Sequence, residues 1–279
     1  MNVISYVQAR PILQARARGE TAVLTSLDLN LTATEIPLTN DGLSLPDGGI
    51  LAWSQLEEIA ANEQVCYHVD GGDVQKIQYF SETFNRFYSL YPTQSAPTML
   101  VAGFPMHRIK GTDPYRDTLS KIKAIAPVRG QVLDTTMGLG YTAIEAAKTA
   151  DQLTTIELDP TVLDICRHNP WSQGLFDSTN ITRLIGDAYD VVAEMNDGRF
   201  HCIIHDPPTF SLAGELYSAE FYRQLGRILK AKGKLFHYIG DPNSKSGRSV
   251  TRGVIPRLQD AGFRYVKPRP QAFGVVAFK

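Results

Sequence analysis

Long apolar runs are absent from this sequence of 279 residues. None approaches the roughly eighteen residues that a membrane span requires, and Met1 to Arg18 holds several arginines without a sustained apolar segment. The expectation is a chain that is neither inserted in a membrane nor secreted, with a cytoplasmic location. Cysteine is scarce too. Cys66, Cys166 and Cys202 lie far apart, with no CxxC pair and no histidine cluster beside them, so reduced thiols are expected and a metal site is not. Cys202 stands inside the apolar run His201-Cys202-Ile203-Ile204 and reads as a small buried hydrophobe. Internal repeats and low-complexity tracts are lacking as well.

Charge is nearly balanced in sum but unevenly placed. Residues 221 to 279 hold 13 lysines and arginines against 2 acids, whereas residues 1 to 110 hold 7 against 11 and residues 111 to 220 hold 8 against 16. A basic third on an acidic remainder suits attraction for a polyanion at one edge. Solvated helix faces give the same pattern, and Lys230, Lys232 and Lys234 follow a predicted helix, where its dipole favours cations.

The chain is long enough for one large α/β domain and a smaller one. Residues 22 to 110 are β-rich: Val23 to Leu31 alternates in part, Asp41-Gly42 and Asp47-Gly48-Gly49 supply turns, and Gln75 to Tyr79 and Thr98 to Ala102 are β-formers. Helices are expected over Gln8 to Arg18 and Ser54 to Ala61, the second with Ser54 as N-cap and Glu57 as its capping-box partner. Gly103, Pro105, Gly111 and Pro114 punctuate a connector, which divides the chain into a small β-rich domain, 1–110, and a larger one, 111–279. After a helix from Tyr115 to Ile125, strands are expected at Gln131 to Thr135, Gln152 to Leu158, Ile181 to Ile185, His201 to His205, Lys234 to Ile239, Phe263 to Lys267 and Phe273 to Phe278. Helices fall between them at Tyr141 to Ala150, Pro160 to His168, Ala188 to Met195, Ser218 to Lys230 and Ser249 to Ala261. Such alternation predicts an α/β, Rossmann-like, mostly parallel seven-stranded sheet with helices on both faces, closed by a final short pair of strands.

The chemistry gathers at the strand ends. Val132-Leu133-Asp134-Thr135-Thr136-Met137-Gly138-Leu139-Gly140-Tyr141 reads as strand, tight turn and helix, with two glycines that let backbone approach a ligand. About twenty residues on, Thr155-Ile156-Glu157-Leu158-Asp159 closes a second strand, and Glu157 is placed to accept the ribose hydroxyls of a bound nucleoside. Asp187 in Gly186-Asp187-Ala188 and Asp206 in Asp206-Pro207-Pro208-Thr209-Phe210 follow a third and a fourth strand. Four acids thus stand at successive carboxyl ends, where open parallel sheets bind ligands.

These four segments resemble the motifs of class I S-adenosylmethionine-dependent methyltransferases over residues 113 to 279. The resemblance implies S-adenosylmethionine as cofactor, Gly138 and Gly140 beside its methionine part, Glu157 on the ribose, Asp187 facing the adenine amino group, and Asp206 opening the acceptor motif. Asp134, Thr136, Leu158 and Ala188 complete the expected cofactor set, with Tyr115 and Thr118 on a covering helix. Thr136 departs from the family's third glycine, and its Cβ limits how closely backbone can approach. A Rossmann dehydrogenase fits less well, because a pyrophosphate needs the full glycine set at a helix N-terminus.

At the acceptor side, the prolines Pro207 and Pro208 stiffen a strand end, Asp206 can accept from an amino or ring N–H, and Phe210 offers an apolar face to a planar acceptor. Asp206 and Glu215 are the candidate catalytic acids and Tyr217 a further substrate contact. His205, His237 and Asp241 lie nearby, His237 reading as a satisfied core residue. Two narrower resemblances compete. Asp206-Pro207-Pro208-Thr209-Phe210-Ser211 is similar to the acceptor motif of certain ribosomal RNA guanine methyltransferases, while Leu216-Tyr217-Ser218-Ala219-Glu220-Phe221-Tyr222 followed by Ile228-Leu229-Lys230 looks like polyamine synthases. Polyamine synthases use decarboxylated S-adenosylmethionine, and their Gly-Gly-Gly-Asp-Gly turn is not matched by the acid-free Thr136-Met137-Gly138-Leu139-Gly140. As a whole the chain resembles a family of predicted methyltransferases.

The main expectation is therefore a methyltransferase acting on a nitrogen of a nucleobase in RNA, or of another planar or small amine, with a homodimer as the expected assembly. Aminopropyl transfer to a polyamine and a non-catalytic RNA-binding module stand as alternatives.

Overall fold

A computed structural model of the chain describes residues 1–210, 212–241 and 244–279. Contacts between Cα atoms divide it into two units, Met1–Tyr115 with Thr161–Gln173, and Arg116–Pro160 with Gly174–Lys279.

The first unit is built from short antiparallel strands. Asn2–Ile4, Tyr67–Asp70 and Asp73–Lys76 make one sheet, and Gln78–Ser81, Arg86–Tyr91, Thr98–Val101 and Phe104–Pro105 another. The helices Tyr6–Ala17 and Trp53–Ala61 bury Ile12, Leu56 and Ile59 against Ile4, Leu43 and Leu51. Val23 to Leu31 alternates only as far as Thr25, because Leu29 and Asn30 turn through positive φ. The capping expected of Ser54 and Glu57 is not formed. The helix starts one residue earlier, and Gln55 Oε1 accepts from the N–H of Ala52 at 2.9 Å while its amide donates to Gly72 O. Thr161–Gln173 joins this unit through Trp171, whose indole N–H donates to Leu29 O at 2.9 Å, and through His168, which is 2.8 Å from Tyr79 Oη.

The second unit is α/β and Rossmann-like. Its seven strands are β1 (Gln131–Asp134), β2 (Gln152–Glu157), β3 (Ile181–Ile185), β4 (Phe200–His205), β5 (Leu229–Tyr238), β6 (Tyr265–Arg269) and β7 (Gly274–Phe278). They lie in the order β3-β2-β1-β4-β5-β7-β6, parallel from β3 to β5, with β7 antiparallel to both β5 and β6. Its longer helices are α1 (Pro114–Ile125, within this unit from Arg116), α2 (Tyr141–Ala147), α3 (Ala188–Ala193), α4 (Ala219–Ile228) and α5 (Lys245–Asp260). Val132, Leu133, Ile203 and Ile204 are fully buried because helices cover both faces of a parallel sheet. Each such side chain contributes roughly 1.5–3 kcal/mol.

Helix α4 shows the local logic. Ser218 Oγ caps it by accepting from Phe221 N at 3.0 Å, and Phe221, Tyr222, Leu225 and Ile228 form its buried stripe. Expected to run to Lys230, it stops at Ile228, and β5 begins at Leu229 instead of Lys234. No Gly or Pro marks that stop; pairing of Leu229 with Phe200 on β4 and complete burial of Leu229 override the helical pattern. Among the described residues no helix is long and apolar enough to cross a membrane. All three cysteines are buried thiols.

Candidate active site

Strand order reverses between β1 and β4, the position at whose carboxyl ends open α/β sheets bind ligands. Asp134, Thr135 and Thr136 leave β1, and His205 and Asp206 leave β4. Thr136 Oγ1 donates to the Asp206 carbonyl at 2.8 Å, so the residue that replaces a glycine ties the two loops together. His205 adds a second tie. Its Nδ1 is 2.7 Å from Thr135 Oγ1 and its Nε2 2.9 Å from Leu216 O; a carbonyl only accepts, so Nε2 carries the proton and Thr135 donates to Nδ1. Burial pushes the imidazole down to about 4, which keeps it neutral.

The glycine turn runs from Met137 to Gly140. Gly138 and Gly140 have φ of 52° and 76°, values that suit glycine, and a Cβ on Gly140 would run into the Leu175 side chain. The Gly138 N–H donates to Glu157 Oε2 at 2.9 Å, and the Asp159 N–H donates to Glu157 Oε1 at 3.1 Å. Turn and β2 end are thus joined through one carboxylate. Burial lifts Glu157 to about 7 against those hydrogen bonds. Leu158 beside it is 47% exposed.

Asp134 is wholly buried, and Oδ2 accepts from Thr155 Oγ1 at 2.8 Å while Oδ1 meets no partner among the described residues. Burial, with only one hydrogen bond to oppose it, lifts this carboxyl to about 8. Asp187 caps α3, its Oδ1 accepting from Tyr189 N at 2.8 Å, and Ala188 is buried in the first turn.

A buried ion cluster stands at the end of β4. Lys121 on α1 is 2.6 Å from Asp206 Oδ2 and 2.8 Å from Asp117 one turn earlier, with side-chain exposures of 5%, 19% and 0% for Lys121, Asp206 and Asp117. Its ammonium also lies 4.7 Å from the centre of the Tyr238 ring. Burial alone would lower this lysine, but Asp206 and Asp117 outweigh it and hold the ammonium above the ordinary lysine range. Burial raises the Asp206 carboxyl and Lys121 opposes the rise.

Tyr217 Oη donates to Pro208 O at 2.9 Å and its ring meets that of Phe210 edge-on at 5.5 Å, so the buried Tyr217 supports the exposed Pro208 and Phe210 from beneath. Pro207 is buried and Phe210 is 55% exposed, while Ser211 lies outside the described residues. Glu215, expected to reach into the crevice, is exposed on the short helix Gly214–Tyr217, because Leu216 and Tyr217 take the inward positions of that turn. His237 is a core residue: it is fully buried, with Nε2 2.8 Å from Tyr222 Oη and its ring 4.4 Å from that of His205. Thr118 is buried, and the ring of Tyr115 lies 5.2 Å from that of Trp171 within the first unit. Lys121, Asp117, Thr135 and Thr155 were not singled out by sequence. The acid-to-lysine spacing of four on α1 was readable as a helical pair, but its partner Asp206 is 85 residues away.

The sequence model of the spermine/spermidine synthase domain matches residues 61–250, which take in the glycine turn, Glu157 and Asp206. The chain belongs to the spermine/spermidine synthase domain family. An uncharacterized protein of Methanocaldococcus jannaschii is 42% identical over 285 aligned residues, covering 100% of this chain and 96% of its own length. The polyamine aminopropyltransferase of Sulfolobus acidocaldarius is 34% identical over 113 residues, covering 38% of this chain and 37% of that enzyme. In fold, the chain is similar to spermidine synthase from Thermotoga maritima, with a TM-score of 0.58 and 17% identity over 80% of this chain and 83% of that one. The fold expected from the methyltransferase motifs is present, but the family shown is that of the spermine/spermidine synthase domain.

Proposed function

We propose that this protein transfers an alkyl group from the sulfonium of an S-adenosylmethionine-type donor to an amine nitrogen, the first reading being the aminopropyl group of decarboxylated S-adenosylmethionine. The observation that carries the proposal is the spermine/spermidine synthase match across the glycine turn, Glu157 and Asp206. The residues fit such a donor. Glu157 keeps acceptor capacity on both carboxylate oxygens after two backbone N–H bonds, enough for a ribose diol, and Asp134 Oδ1 is an unpartnered buried polar atom beside the turn. Gly138 and Gly140 would lie along the sulfonium side, and Leu158, Asp187 and Ala188 around the adenine.

When bound, the donor supplies a carbon made electrophilic by positive sulfur. The protein then has to hold the nitrogen in line, exclude water and place the proton. Asp206 takes a hydrogen bond from the attacking nitrogen and orients its lone pair; Thr136 and Lys121 hold Asp206 in place. Phe210, Tyr217, Pro207 and Pro208 form the apolar side of the acceptor position. Glu215 is exposed and takes no part in this scheme.

Methyl transfer is the second reading, favoured by one observation: Thr136-Met137-Gly138-Leu139-Gly140 contains no acid to hold the free amine of a decarboxylated donor. The test is to incubate the full chain with S-adenosylmethionine labelled in its methyl group and, separately, with the decarboxylated donor labelled in its aminopropyl group. Each is offered diamines and RNA as acceptors. Label passing from the decarboxylated donor to a diamine supports the first reading. Transfer of methyl alone establishes the second, and transfer of neither refutes both.

A further inference from the structure

Strand β6 stands at one edge of the sheet, hydrogen-bonded to β7. Open edges attract strands from second copies, and proline and exposed lysine blunt them. β6 carries both, as Pro268, which has no N–H to give, and Lys267. A partner at this place therefore meets the face of β6 instead of its edge.

The strand register sets out that face. Tyr265 lies directly across from Phe278 on β7, and Phe278 directly across from Lys234 on β5, so tyrosine, phenylalanine and lysine form one row on one side of the sheet. Two residues further along β6, and thus on the same side, Lys267 holds its ammonium 5.7 Å from the centre of the Phe278 ring. Towards the other end of this side lies α1, where Arg269 Nε donates to Ala124 O at 3.4 Å and the Tyr238 ring faces Lys121. The corner at Tyr265 is left to solvent: Tyr265 is 67% exposed, Lys267 is exposed, and Phe278 and Lys234 are half-buried. Residues 229–238 hold three lysines and residues 261–279 four lysines and arginines, with no Asp or Glu in either stretch.

We propose that this corner of the sheet binds single-stranded RNA, with an unpaired base lying on the Tyr265 ring and phosphates passing Lys267 and Lys234. Clustered cations without acids draw a polyanion. The exposed ring among them selects which one, because an unstacked base has a flat face to lay on it. An acidic protein would use the charges and leave the ring unused. A duplex is suited less, since its bases are stacked on one another, whereas RNA loops and ends present theirs without melting. The row lies four residues along β5 from Tyr238, roughly 13 Å at 3.3 Å per residue. The surface is distinct from the strand-end site, and RNA binding here holds whether a base or a small amine is the acceptor.

The full chain is titrated into a fluorescently labelled oligouridylate of about twelve nucleotides, a length within the usual site sizes, and anisotropy is followed at several salt concentrations. The single strand is expected to bind more tightly than an RNA duplex of the same length. Tyr265→Ala should weaken binding about fivefold or more, the effect of losing one stacked base, and Tyr265→Phe should retain it. Lys267→Gln should lower the slope of log K against log salt by about 0.7, one phosphate contact on a single strand. Tyr265 is exposed, so its replacement leaves the packed core intact. No binding of the strand at low salt, tighter binding of the duplex, or unchanged affinity in Tyr265→Ala would each overturn the proposal. Displacement of the strand by polyglutamate of equal charge as readily as by unlabelled strand would also overturn it and assign the corner to acidic proteins.

Discussion

Replacing Asp134 by asparagine should change how stability depends on pH. This carboxyl is completely buried, accepts one hydrogen bond, from Thr155, and stands at about 8 against an ordinary value of 3.8. The native protein therefore binds a proton here that the unfolded chain releases, so the contribution of this group to stability is greatest below pH 3.8 and is lost progressively as pH rises toward about 8. Each unit within that window costs about 1.4 kcal/mol. Integrated from 3.8 to neutrality the loss reaches about 4 kcal/mol, a ceiling, because protein relaxation reduces the desolvation cost. The amide introduced by the substitution does not titrate, and its carbonyl can still accept from Thr155. Urea unfolding of the wild type and Asp134→Asn at about pH 5, 6 and 7 should give stability curves that diverge, the variant gaining about 1.4 kcal/mol per unit. Parallel curves would show that Asp134 is ionised in the folded protein and that the burial argument fails.

Donor binding should be pH-dependent through Glu157. A carboxylate near 7 must be ionised to accept two hydroxyls, so affinity measured by calorimetry should fall as pH drops below about 7, approaching tenfold per unit, and Glu157→Gln should bind weakly with a flat profile. Gly140→Ala combines a φ of 76° with a clash against Leu175; a loss of about 1–3 kcal/mol is expected by thermal or chemical denaturation, with donor affinity reduced as well.

Much of the candidate site was legible because it is local. Val132-Leu133 is a buried parallel strand because two covered faces demand an unbroken apolar run, and Gly138 and Gly140 follow because the turn needs positive φ. Glu157 could be placed from its distance along one βαβ unit. Choices between equally good local partners were less legible. At the start of the helix Trp53–Ala61, Ser54 and Glu57 matched the capping pattern, but Gln55 made the bond, since its amide could also reach Gly72. Glu215 looked like a residue of the crevice because a glycine precedes it, and it was turned outward by the burial of its two apolar neighbours.

The sequence by itself determined the α/β class, the seven strands and the residues at their carboxyl ends, since periodicity, turn glycines and strand-end acids act within a few residues of one another. Tertiary structure alone decided that Thr161–Gln173 packs with the first unit, that β5 starts at Leu229, and that Lys121 pairs with Asp206 as well as with Asp117. Each of these depends on a partner tens of residues away, where the free energy of a contact comes from burial and low dielectric that no local pattern records.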